Sequence, residues 1–115
     1  MVPASPRPTP PDGNLLAGLP ADLAAEDFQN ILRMGAVRIE RIVSHGHSSP
    51  AEGWWDQAEH EWILVLRGGG TLLFADGRAV TLRTGDHLFI PAHARHKVTR
   101  TDPAHATVWL AVFWS

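Results

Sequence analysis

A chain of 115 residues with ten basic and twelve acidic side chains and 44% apolar content is long enough for one core and too short for two. A formal charge of -2 offers no footprint for nucleic acid or an anionic membrane, and the absence of cysteine removes disulfide scaffolds, thiolate zinc sites and thiol catalysis. No apolar run approaches the roughly 18 residues that cross a bilayer, and the first residues lack the basic start and apolar stretch of an export signal, so a cytoplasmic location is expected.

Residues 1–13 carry five prolines (Pro3, Pro6, Pro8, Pro10 and Pro11) and almost nothing apolar, which predicts a loose, polyproline-like arm. Residues 14–35 form a lead-in. Between Pro20 and Leu32, Leu23, Phe28, Ile31 and Leu32 fall near helical spacing, with Asp22 as N-cap and Gly35 as the stop, which predicts one short amphipathic helix. From residue 36 to 115 the helical period is lost and short apolar runs alternate with turn residues, the pattern of an all-β domain. Strands are expected at 36–43, 62–66, 71–75, 78–83, 87–90, 96–101 and 107–114. Asp76-Gly77 predicts a two-residue type I′ hairpin, Gly68-Gly69-Gly70 breaks a strand, and Thr84-Gly85-Asp86 makes a tight turn. Seven short strands in this length predict a sandwich or a small barrel.

Chemistry-bearing residues concentrate in two stretches, His45 to Glu61 and Gly85 to His96. Without cysteine, a metal site would use imidazole, carboxylate and amide donors, which suit Fe, Mn, Ni, Co or Zn better than copper. Gly68-Gly69-Gly70 lacks the Lys-Ser/Thr of a phosphate loop, and no Gly-x-Ser-x-Gly elbow marks a serine nucleophile. His45-Gly46-His47, followed by Ser-Ser-Pro, reads as a polar turn more readily than as a chelate. By strand alternation His60 points away from the face that Glu61 occupies, towards solvent or a partner subunit. His87 reads as a strand surface residue and His105 as a loop residue.

The segment Gly85-Asp-His-Leu-Phe-Ile-Pro91-Ala-His93-Ala-Arg-His96 resembles the second motif of the cupins: Gly, five residues, Pro, one residue, Gly, two residues, His. His93 stands at the second glycine, and Arg100 stands where the motif ends in Asn. The first cupin motif, His-x-His followed by Glu and then Gly, fits in two registers. One uses His45 and His47 with Glu52. The better one places six residues between Glu61 and Gly68 and leaves the histidine positions to Trp55 and Gln57, or to Trp54 and Asp56.

The resemblance implies a cupin double-stranded β-helix, or jelly-roll barrel, preceded by the short helix, and a homodimer formed through sheet edges or strand exchange. It further implies a barrel that binds a small molecule, with one divalent metal ion held by Gln57, Glu61 and His96, or less readily by Asp56, His45 or His47. Trp55 and His93 are expected on the pocket wall. Beside this binding module stand a metal-dependent oxygenase or isomerase acting on a small organic substrate, and a purely structural cupin, since a fold does not fix a function.

Overall fold

The structure, a computed structural model, describes residues 7–21 and 24–115. Eight strands follow in chain order: β1 (Asp27–Met34), β2 (Val37–Ser44), β3 (His60–Arg67), β4 (Gly69–Phe74), β5 (Ala79–Arg83), β6 (His87–Ile90), β7 (His96–Thr101) and β8 (Thr107–Trp114). They make two antiparallel sheets, one ordered β1-β2-β8-β3-β6 and one ordered β5-β4-β7. Side chains alternate across a strand, so β3 sends Ile63 and Val65 and β8 sends Trp109, Ala111 and Phe113 to one face. There they meet Leu72, Phe74 and Leu82 of the smaller sheet, and Ile90 of β6 completes the buried cluster. This is the jelly-roll barrel that the motifs imply.

The predicted helix is absent, and no helix of any kind occurs among the described residues. Asp27–Met34 is instead a strand paired with β2. The pairing register slips between Asn30 and Leu32, so Ile31 is a bulge. An extra residue displaces the strand's period of two, and the result on paper is Phe28, Ile31 and Leu32 at spacings that mimic a helix. Gly35, read as a helix stop, turns the β1–β2 hairpin with φ 56°. The proposed N-cap, Asp22, lies outside the described residues, as do residues 1–6 of the arm; residues 7–13 are exposed throughout.

Ahead of β1, the lead-in is tied to the sheet through Leu15 and Ala17. Arg41, buried on β2, donates from Nη1 to the carbonyls of Leu15 and Ala17 at 3.2 and 2.9 Å.

The Asp76-Gly77 hairpin also differs in detail. The Gly77 amide donates to the Phe74 carbonyl at 2.9 Å and the Phe74 amide donates to the Arg78 carbonyl at 2.8 Å, which encloses a three-residue loop rather than a two-residue one. Only Gly77, at φ 99°, takes positive φ there. The carboxylate of Asp76 accepts from both the backbone and the side chain of Arg78, so Asp76 stays on the ordinary side of the backbone map and the type I′ form is not used. Gly68, at φ 86°, carries the chain from one sheet to the other, and a Cβ there would stand 2.5 Å from the Thr107 hydroxyl.

Candidate functional site

Between the two sheets lies a cavity of about 270 Å³. Its walls are built from the inward positions of the strands already described. Glu61 is the second residue of β3 and shares a face with Ile63 and Val65; His96 is the first residue of β7 and pairs with Phe74 of β4. Both are buried, and the imidazole Nε2 faces the Glu61 carboxylate at 3.6 Å. The other ring nitrogen donates to the Ala94 carbonyl at 2.7 Å, which orients the ring. Burial pushes His96 towards its neutral form, but the Glu61 carboxylate and the Ala94 carbonyl outweigh that and hold its pKa above the ordinary histidine value.

The third wall comes from an irregular segment, residues 49–57, that lies along the open edge of β7. Ser49 bridges Val98 and Trp55 bridges His96, with the Trp55 amide donating to the His96 carbonyl at 2.8 Å. That bridge decides between the two alternatives left open by the first motif. Trp55 and Gln57 line the cavity, whereas Trp54 lies under the ammonium of Lys97 at 4.4 Å and Asp56 bonds the His93 ring at 2.7 Å.

His93, expected on the pocket wall, turns outward and is exposed. It occupies the motif's glycine position at φ 62°, a left-handed conformation that its backbone hydrogen bond to the Gln57 carbonyl and its ring contact with Asp56 both hold. His45 and His47 are likewise apart from the cavity. The His45 amide donates to the His47 ring at 2.9 Å, and the His47 carbonyl accepts from Thr101, so this loop is tied to itself and to β7.

Four charged groups in and around the cavity had no signal in the motifs. Arg38 and Glu40 alternate on β2 and point to the same face as Ile42. Arg38 binds both oxygens of Glu59 through Nε and Nη2 at 2.9–3.2 Å, contacts Glu40 at 2.9 Å, and lies 3.8 Å above the Phe113 ring. Glu26, just before β1, accepts from the Ser44 hydroxyl at 2.6 Å. Strand parity on β2 could have revealed Arg38 and Glu40. Glu26 was hidden by the misread helix, and Trp109 is both core and cavity wall.

A divalent ion is what the fold family brings to this place, and the donor set decides whether one fits. Glu61 and His96 supply one carboxylate and one imidazole, and the next polar group on the wall is the neutral amide of Gln57. Among the described residues no three His, Cys, Asp or Glu side chains are placed to share an ion. Such a set does not fit a resident transition metal, whose sites use several imidazole or carboxylate ligands. Apolar walls with a few convergent polar groups instead describe a small-molecule cavity.

Comparison with known proteins agrees with this architecture. A crystal structure of a proposed mannose-6-phosphate isomerase from Ralstonia eutropha JMP134 is 40% identical, with a TM-score of 0.85, over 92% of this chain and 99% of that one. A cupin superfamily protein from Desulfitobacterium hafniense DCB-2 superimposes with a TM-score of 0.72 at 19% identity, over 91% of this chain and 93% of that one. The cupin domain of Schizosaccharomyces pombe Cnp3 does so with a TM-score of 0.70 at 8% identity, over 83% and 64%. These last two share the fold alone. No curated protein matches the sequence. The family description "Cupin domain" matches residues 38–113, the span from Arg38 at the cavity to Phe113 beneath it, and the chain belongs to the cupin domain family.

Proposed function

We propose that this cupin is a binding module that takes a small organic molecule into its barrel without a resident metal ion. The observation that carries the reading is the buried Glu61–His96 pair in a cavity whose walls include Trp55, Trp109, Ile63 and Leu72. A polar end of the ligand exchanges hydrogen bonds with the pair while its apolar body replaces water against the rings. Thermal-midpoint and ligand-observed NMR screening of a fragment library tests this. Hits should be lost in Glu61→Ala and His96→Ala and kept in His45→Ala; hits indifferent to all three would refute the assignment.

A metal-dependent isomerase is the second reading, favoured by the 40% identity to the Ralstonia protein, which is named as an isomerase. In that case Gln57, Glu61 and His96 would be the donors. Elemental analysis of protein purified without chelator or a nickel tag separates the two, since one equivalent of bound divalent metal would favour the isomerase.

The working unit in this reading is a homodimer. The outer face of the large sheet carries Trp62 and Leu64 of β3, Phe89 of β6, and Leu110, Val112 and Trp114 of β8, where a one-sided antiparallel sheet would be polar. His60, Phe89 and Trp114 cluster there with ring centroids 5.7–5.9 Å apart. An uncharged surface of this kind suits a second copy of itself, because two such faces meet without like-charge repulsion.

A further inference from the structure

The charges around the cavity are unbalanced, and the imbalance selects among ligands. Three carboxylates, Glu26, Glu40 and Glu61, line it against two basic groups, Arg38 and His96. Neither basic group is free. Arg38 is already engaged by Glu59 on two nitrogens and by Glu40 on the third, and His96 is held between the Ala94 carbonyl and Glu61. A phosphate or carboxylate in the cavity would have to draw Arg38 away from two carboxylates or sit unpaired beside them. Either course leaves a charge without a partner in a sheltered site.

The carboxylates are in the opposite condition. Glu26 is bound by a single hydrogen bond among the described residues, and the direction of that bond is fixed. The Trp109 indole can only donate, and it donates to the Ser44 hydroxyl at 3.2 Å; Ser44 must then send its own proton to Glu26 at 2.6 Å. Glu26 is therefore held as an acceptor by a serine with no exposed surface. One oxygen of Glu61 faces His96, and one oxygen of Glu40 faces Arg38; their second oxygens have no partner among the described residues. The cavity thus has an excess of carboxylates and, among the described residues, no unengaged cation, beside the rings of Trp55, Trp109 and Phe28. Aromatic faces attract a cation as carboxylates do, and both reject an anion.

We infer that the cavity takes a small organic cation, a molecule bearing a protonated amine, in preference to phosphorylated or carboxylate ligands. This rests on the reading of the barrel as a small-molecule site and names the class that the site selects. It also separates this chain from the compound in the name of its Ralstonia relative, since mannose 6-phosphate is a dianion.

A matched series tests it: benzylamine, benzyl alcohol and benzoate, with mannose 6-phosphate as a fourth probe, titrated into the full chain and read by isothermal calorimetry and tryptophan fluorescence. Benzylamine should bind about tenfold or more tighter than benzyl alcohol, with benzoate and mannose 6-phosphate weakest. Glu26→Gln, which keeps an acceptor for Ser44 while removing the charge, should lower benzylamine affinity severalfold and leave benzyl alcohol unchanged; Glu40→Gln serves as a second variant should the first fail to fold. Equal binding of amine and alcohol would overturn the charge selection while sparing the small-molecule reading. Preferential binding of benzoate or mannose 6-phosphate would overturn it outright, and failure of all four probes to bind would overturn both readings.

Discussion

The two faces of the large sheet are both apolar, yet only the inner one packs against the smaller sheet. Its residues Val65, Trp109, Ala111 and Phe113 are buried against the smaller sheet, whereas on the outer face Phe89 is 49% exposed and Trp62 and Trp114 are half-buried. The inner face also shelters the polar groups. Glu61 and His96 are tolerated there because each meets the other, while the outer histidines, His60 and His87, lie against Phe89, Trp114 and Trp62. The difference teaches that composition alone does not tell a core face from an uncovered one. What distinguishes them is whether a second layer of the same chain is present to remove the side chains from water.

The largest effect should come from the closed face. Trp109→Ala removes a buried ring that packs against Gly70 and carries the Ser44 hydrogen bond, and should cost about 3–5 kcal/mol in urea unfolding. A loss below about 1 kcal/mol would show that the inner face is not the core. Next comes the polar pair. Glu61→Ala leaves a buried imidazole without its carboxylate and should cost about 1–3 kcal/mol near pH 6. The pair has a pH signature as well. Because the folded state raises the His96 pKa, its contribution is complete below the unfolded value of about 6.5 and is lost as pH rises through the folded value. The thermal midpoint should therefore decline as pH rises above about 6.5, and His96→Gln should flatten that part of the profile.

The outer face should answer differently. Phe89→Ser with Trp62→Ser should change the stability of an isolated subunit by about 1 kcal/mol or less, yet convert a dimer to a monomer in light scattering. A wild type that scatters as a monomer at all concentrations would break the comparison. The smallest effect is expected at the loop that looks most like a chelate: His45→Ala and His47→Ala should each stay within about 0.5 kcal/mol of the wild type, their rings being outside both faces.

Much of the barrel was legible beforehand. Strand β6 lies at 87–90, β7 at 96–101 and β8 at 107–114, as the alternation and its Gly and Pro punctuation predict. Local backbone geometry makes this possible, since a period of two and a turn glycine leave their mark within a few residues. β1 was not legible, because one bulged residue is enough to counterfeit a helical period. The cavity was half legible. Glu61 and His96 sit on regular strands, whose parity places every second side chain inward, and a motif gave their register.

The amino-acid sequence by itself determined the strands, most of the turns and the inward direction of Glu61 and His96, because these depend on interactions between near neighbours. Tertiary structure decided the rest. Residues 49–57 have no regular ladder of their own, so only their bridges to Val98 and His96 select Trp55 and Gln57 over Trp54 and Asp56. Arg38 is neutralised by Glu59, 21 residues away, and Glu26 is aimed by Trp109 through Ser44 across strands that are distant in the chain. Charge pairing of this kind depends on which strands lie side by side, and sheet order is set by burial of the whole core rather than by any local pattern.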